Sequence, residues 1–261
     1  MRMKDMHSGF TQDLPEMKQK PVIYLAGDST AQSYGRESRP QMGWGEMLME
    51  SLDPKHVIKT YHRENSPFAQ EKRYENQNLI VDNCAMGGRS SCSFWLEGRL
   101  DDIISQIQQG DYLLIQFGHN DAARDKPERY VPVEAFADVI GNYIDKAREK
   151  HAFPVLISPI VLRPCASNHA KDRKRIRDLL PQYACEMKKL AEKEHVEYID
   201  LYTLTLHACK KQGSDETKRW YHKDNVHLIA EGARTYARIL AKEMREKLPL
   251  FDVQQEEGVS K

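Results

Sequence analysis

An α/β sandwich around a central parallel sheet is predicted for this chain, on three observations. Five short apolar or β-branched runs recur along it, each run is continuous rather than alternating, and helical repeats of apolar residues lie between them. Continuous runs suit strands covered on both faces, and regular strand–helix alternation builds a parallel sheet with helices on its faces.

The five strands are expected over 22–26, 79–83, 112–117, 154–161 and 196–201. The first helical stripe is Leu100, Ile103, Ile104 and Ile107, spaced i, i+3, i+4, i+7, and a second runs through Phe136, Ile140, Ile144 and Ala147. A third passes through Ile176, Leu179, Leu180, Tyr183, Ala184, Met187 and Leu190; Pro181 interrupts it and predicts a kink or a helix start there. The last stripe is Ala233, Ala237, Leu240, Ala241 and Met244. Two stretches break the alternation and read as long loops: the charged segment 59–78 with Pro67, and 163–173 with Pro164, Asn168 and His169. The expected organisation is a polar N-terminal extension over 1–20, a single domain over 21–248 and a C-terminal tail over 249–261, frayed from 254 onward.

Composition narrows the class of function. Charged residues are 30% and hydrophobic residues 40% of the 261, as in a soluble globular protein. Lys+Arg and Asp+Glu are 39 each, so net charge is zero and the pI is near 7.1, which argues against coating nucleic acid or anionic membrane. No apolar run reaches the ~18 residues of a membrane span, and the N-terminus has no apolar signal-peptide core. The five cysteines, Cys84, Cys92, Cys165, Cys185 and Cys209, are scattered and form no CxxC pair. They fit free thiols in a reducing cytoplasm, the expected location, better than a disulfide or zinc framework.

Ligands of parallel sheets bind at the carboxyl ends of the strands. After the first run stands Gly27-Asp28-Ser29-Thr30. It reads either as a capped strand-to-helix turn or as a nucleophilic Ser29 with its backbone N–H facing a developing anion. After the second run, Gly87-Gly88 within NCAMGGRS is a tight turn or a place where backbone approaches a ligand; it lacks P-loop spacing. After the third run, Gly118-His119-Asn120-Asp121 offers Asn120 as a helix cap or as an amide donor aimed into a cleft. His119 reads as a base or, more commonly for a lone histidine there, as a structural residue. Before the last helix, Asp224 and His227 are three residues apart, close enough for the carboxylate to orient the imidazole of a Ser-His-Asp relay. A metal site from His222, Asp224 and His227 is the competing reading, and its spacing is not a standard one.

In their order, GDST, NCAMGGRS, GHND and DNVH resemble the blocks of the SGNH (GDSL-type) hydrolase family over about residues 21–245. GDST, GGRS followed by Ser91 and Phe94, and GHND are most similar to its rhamnogalacturonan acetylesterase branch. The resemblance implies a three-layer α/β/α sandwich with a five-stranded parallel, flavodoxin-like sheet. It also implies Ser29 as nucleophile, His227 as base and then acid, and Asp224 as the group that orients His227. The oxyanion hole would be the backbone N–H groups of Ser29 and Gly88 and the side-chain amide of Asn120, with no metal and no cofactor. Three donors converging on one oxygen is what acyl transfer requires. The GxSxG elbow of the α/β-hydrolases is absent.

The implied reaction is removal of acetyl groups from acetylated pectic, rhamnogalacturonan-type oligosaccharides, imported ones if the chain is cytoplasmic. Alternatives are a GDSL-type lipase, thioesterase or acyltransferase on other small acyl esters, and a non-catalytic carbohydrate-binding protein on the same scaffold. Neither nucleic acid nor membrane is an expected partner. Arg63, Glu64, Tyr74, Arg89, Trp95, Arg124, Arg129, Tyr130, Arg163 and His169 on the expected loops suit an acidic sugar backbone or, as is usual for charge on loops, a solvated surface.

Overall fold

In the computed structural model, which describes residues 20–164 and 171–251, the sheet is centred on β1 (Val22–Gly27). The remaining strands are β2 (Lys59–His62), β3 (Lys72–Glu75), β4 (Ile80–Asn83), β5 (Tyr112–Gln116), β6 (Phe153–Ile157) and β7 (Glu197–Ile199). Among the described residues these seven lie in the order β2-β3-β4-β1-β5-β6-β7. The five from β4 to β7 are parallel, as the apolar runs predict. Side chains alternate along β1: Ile23 and Leu25 enter one core, Tyr24 and Ala26 the other.

The first core is covered by α1 (Leu48–Leu52), α6 (Leu201–Gln212) and α7 (Ala230–Lys247). The second is covered by α2 (Ser91–Leu96), α3 (Arg99–Gln106), α4 (Val133–Glu149) and α5 (Lys171–Glu194). Helices on both faces of the sheet make three layers. Among the described residues no helix is long and apolar enough to cross a membrane.

Four expectations need correction. The sheet has seven strands, not five, because 59–78 is not a long loop: β2 and β3 form an antiparallel hairpin on β4. Its strands, KTYH and KRYE, are at the sheet edge, bury little beyond Tyr74, and so carry no apolar run for sequence reading to find. Polar contacts hold it instead: Arg73 pairs with Asp82 on β4 at 2.6 Å, and buried Arg63 pairs with Glu71 at 2.6 Å and with Asp102. Second, the strand expected over 154–161 ends at Ile157. Third, the run 196–201 is a three-residue strand whose Asp200 caps α6, accepting from the Thr203 N–H at 3.1 Å. Fourth, of the kink or helix start predicted at Pro181, the start does not occur: α5 runs through it. Pro181 is exposed, on the side where a carbonyl deprived of its partner can be hydrated. Residues 171–173 belong to α5, whereas Asn168, His169 and Cys165 lie outside the described residues, as do 1–19 and 252–261.

Candidate active site

Chain order changes direction across the sheet at β1: its neighbours are β4 on one side and β5 on the other. The loops after these three strands therefore meet at a topological switch point, where open α/β sheets form their crevice. Ser29 comes from the first loop, Gly87 and Gly88 from the second, and His119 and Asn120 from the third. All five line one cleft of about 510 Å³, and His227, from the loop before α7, completes its wall.

The Ser29 turn is shaped by Asp28. Its Oδ1 accepts the Thr30 N–H and the Thr30 hydroxyl, each at 2.8 Å, and its carbonyl accepts the N–H groups of Ala31 and Gln32 at 3.2 Å. Those bonds consume the amides after Ser29 and leave its own N–H without an acceptor among the described residues. Tyr34 donates its hydroxyl to the Ser29 carbonyl at 2.8 Å, fixing the turn from the other side.

Ser29 Oγ lies 3.0 Å from His227 Nε2, and His227 Nδ1 lies 2.6 Å from Asp224 Oδ2. The carboxylate places the ring proton on Nδ1, which leaves Nε2 as the acceptor for the Ser29 hydroxyl. Asp224 Oδ1 accepts the N–H groups of Val226 at 2.9 Å and His227 at 3.0 Å, so both carboxylate oxygens are committed. Burial opposes its charge, but the His227 bond, the two amides and the imidazole charge outweigh it. They hold the Asp224 carboxyl well below the usual carboxylate range. The loop turns at Asn225, which has φ +62°, a value asparagine tolerates. Arg163 clamps that turn: Nη1 donates to Asn225 Oδ1 at 2.8 Å, Nη2 to the Ser214 carbonyl at 2.9 Å, and its backbone N–H to the Asn225 carbonyl at 3.1 Å.

Gly88 has φ +79°, a backbone state that L side chains rarely adopt, and its N–H has no acceptor among the described residues. The Gly87 N–H, by contrast, donates to Gln32 Oε1 at 2.5 Å. Asn120 does not cap a helix; Nδ2 donates to the Arg89 carbonyl at 2.8 Å, and the next helix in the chain, α4, starts only at Val133. One amide hydrogen anchors the side chain and the second is left for the cleft. Beneath it, fully buried Asp121 accepts from the Ser91 N–H at 3.0 Å, the Ser91 hydroxyl at 2.5 Å and the Gly118 N–H at 3.0 Å. Burial, opposed by the Ser91 bonds, pushes its pKa up to about 7.

His119 is not poised as a base. Its Nδ1 faces Asp28 Oδ2 at 3.1 Å and its Nε2 faces the Ile160 carbonyl at 3.0 Å. Burial works against the Asp28 charge, and the His119 charge and bond, with those from Thr30, more than compensate, so its carboxyl titrates below the usual range. This pair joins the residue before Ser29 to the residue before Asn120. The pairing leaves no local mark in the sequence: the register Gly27↔Gln116 sets the two strand ends side by side.

The metal reading of His222, Asp224 and His227 finds no support in the geometry. His222 Nδ1 is 3.7 Å from Asp224 Oδ2, while both His227 nitrogens are engaged with Asp224 and Ser29. Among the described residues no group of three or more His, Cys, Asp or Glu side chains is arranged to hold a metal ion. Several loop residues expected to face a sugar do not: Arg63, Tyr74 and Arg163 are buried. Of that set Arg129 lines the cleft, and His169 lies outside the described residues.

A model of the GDSL-like lipase/acylhydrolase family matches residues 23–240, from β1 into α7. The chain belongs to this family. Like other GDSL-type proteins it is a carboxylic ester hydrolase. It is 37% identical to the probable rhamnogalacturonan acetylesterase YesY of Bacillus subtilis, over 88% of this chain and 95% of that protein. It is 33% identical to the rhamnogalacturonan acetylesterase RhgT of the same organism, over 90% and 95% respectively. Among solved structures, Bacillus subtilis YxiM superposes with a TM-score of 0.67 at 25% identity, covering 93% of this chain and 58% of YxiM. This chain thus spans little more than half of YxiM. Axe2, an acetylxylan esterase from Geobacillus stearothermophilus, superposes at 0.58 with 17% identity over 89% of this chain and 97% of Axe2. At that identity the likeness concerns the fold alone.

Proposed function

We propose that this GDSL-type protein is a carbohydrate acetylesterase that removes acetyl groups from acetylated pectic, rhamnogalacturonan-type oligosaccharides. The observation that carries the catalytic reading is the unbroken chain from Ser29 Oγ to His227 Nε2 at 3.0 Å and from His227 Nδ1 to Asp224 Oδ2 at 2.6 Å. The substrate class is supported by the two relatives named above, a probable rhamnogalacturonan acetylesterase and a rhamnogalacturonan acetylesterase, each matched over 95% of its length. The four described cysteines are free thiols, which supports a reducing, cytoplasmic setting.

In this reading Ser29 Oγ attacks the acetyl carbonyl carbon as its proton passes to His227 Nε2. The C=O electron pair moves onto oxygen, and that oxyanion is received by the Ser29 N–H, the Gly88 N–H and the second Asn120 amide hydrogen. Asp224 stabilises the imidazolium. His227 then returns the proton to the departing sugar oxygen, leaving acetyl-Ser29. A water molecule, deprotonated by His227, repeats the sequence and releases acetate.

Met86, Leu162, Ile176 and Val226 give the cleft an apolar side, which favours a second reading, an esterase or thioesterase for longer acyl chains. Acetate release from acetylated saccharides, compared with hydrolysis of C2 to C12 nitrophenyl esters, separates the two. A maximum at C2 is expected; a maximum at C8 or above supports the second reading. Ser29→Ala is expected to fold normally and to lose at least about 10³-fold in kcat. Turnover near wild type in a folded Ser29→Ala protein would contradict the triad assignment.

A further inference from the structure

Arg129 lies on the cleft wall, on the loop between β5 and α4. That loop is closed at its base. The Val131 N–H donates to the Asp121 carbonyl at 3.1 Å, and the buried Tyr183 hydroxyl on α5 reaches the carbonyls of Asp121 at 3.1 Å and Val131 at 2.7 Å. Arg129 Nη1 makes one long bond, 3.3 Å, to the Gly88 carbonyl. Its Nε is buried with no hydrogen-bond partner, and no carboxylate pairs with it among the described residues. The other cleft-lining residues include neither aspartate nor glutamate.

A guanidinium brought to a cleft without a counter-ion has paid part of its dehydration and retains donors for a planar anion. The spacing says how near the reacting ester that anion would lie. A Cβ built on Gly88 is 3.4 Å from Arg129 Nη1, and one built on Gly87 is 3.4 Å from the Ser29 Cβ. Arg129 and Ser29 thus lie against adjoining glycines on one cleft wall. We infer that Arg129 is a specificity-determining residue that receives the carboxylate of a uronic acid, on the acetylated sugar itself. This assignment rests on the acetylesterase reading of the same cleft. The enzyme therefore selects acetyl esters of anionic saccharides over those of neutral ones.

The test compares a mono-O-acetyl methyl galacturonoside with the matching mono-O-acetyl methyl galactoside, which differ only in carboxylate against hydroxymethyl; 4-nitrophenyl acetate reports on the hydrolytic machinery. The wild-type protein is expected to favour the galacturonoside by about tenfold or more in kcat/KM, expressed in KM, with the preference shrinking as salt is raised. In Arg129→Gln the ratio falls to near one, and Arg129→Lys, which keeps the charge but not the fork, retains part of it. A ratio near one in the wild type overturns the assignment. So does an unchanged ratio in folded Arg129→Gln, with equal losses on all three esters, because Arg129 would then merely support Gly88. If 4-nitrophenyl acetate is cleaved and neither saccharide is, the carbohydrate reading itself fails and takes this assignment with it. If no ester is cleaved, the catalytic reading fails.

Discussion

Asn120 separates two roles that one residue type can play at a strand end. As a helix cap it would be replaceable by aspartate at almost no cost, since the two cap about equally well. Here its Nδ2 is anchored on the Arg89 carbonyl and the next helix in the chain starts only at Val133. For the proposed oxyanion donor, Asn120→Ala is expected to lose on the order of 10²–10³ in kcat, the typical loss for one such donor. Asn120→Asp should be worse. It removes both amide hydrogens, sets a carboxylate against the Arg89 carbonyl, and places negative charge where the transition state builds its own. Single-turnover kinetics on the folded variants check the order, and Asn120→Asp within a few-fold of wild type would remove Asn120 from the oxyanion hole. The Asp28–His119 pair works at the same scale: both His119 nitrogens are engaged, so this histidine holds two loops in register.

The β2–β3 hairpin is an element made by ion pairs where apolar burial is scarce. Arg63 is fully buried between Glu71 and Asp102, and Arg99 stacks over Phe68 with its guanidinium carbon 4.1 Å from the ring centre. Removing one member of a buried pair costs more than the pair contributes, because the remaining charges stay dehydrated. Arg63→Ala is therefore expected to lower unfolding stability by roughly 3–5 kcal/mol, read as a lower urea midpoint. Arg63 lies outside the cleft, so the folded fraction should keep its kcat/KM. A midpoint shift below about 1 kcal/mol would show the hairpin to be a solvated appendage. The same reasoning explains why α6 is silent in sequence. Its buried residues Leu201, Thr205 and Cys209 include a threonine, whose hydroxyl back-bonds to the Leu201 carbonyl at 2.7 Å, so no apolar stripe marks it.

For the molecule as a whole, two sets of carboxylates at the site give stability opposite pH dependences. Asp28 and Asp224 titrate below the usual 3.8, so their contribution is present above that value and is lost as pH falls through their lowered values. Asp121 is raised from 3.8 to about 7, so its contribution is complete below 3.8 and is lost as pH rises toward 7. The sum is a maximum on the acid side of neutrality, near pH 4. Thermal unfolding from pH 3 to 8 should show this maximum in the wild type. Asp121→Asn cannot titrate and should hold its own Tm level from pH 5 to 7. A wild-type Tm that climbs steadily over that interval, with the variant tracking it, would contradict the buried-acid assignment.

Read without coordinates, the chain specifies its five parallel strands, four of its helices and the blocks holding Ser29, Gly88, Asn120, Asp224 and His227. Those features leave local marks: continuous apolar runs, 3.6-residue stripes, and polar residues directly after strands. The elements that needed the tertiary structure are those whose stabilising partners are distant in sequence and charged or polar. The hairpin depends on Arg73 meeting Asp82 and Arg63 meeting Asp102. The clamp on the Asp224–His227 loop depends on Arg163 meeting Asn225, 62 positions away, and the brace under the site on His119 meeting Asp28, 91 positions away. Hydrophobic periodicity records which side of an element faces the core. It does not record which charges meet inside, because an ion pair is decided by the register of two distant segments that only folding brings together.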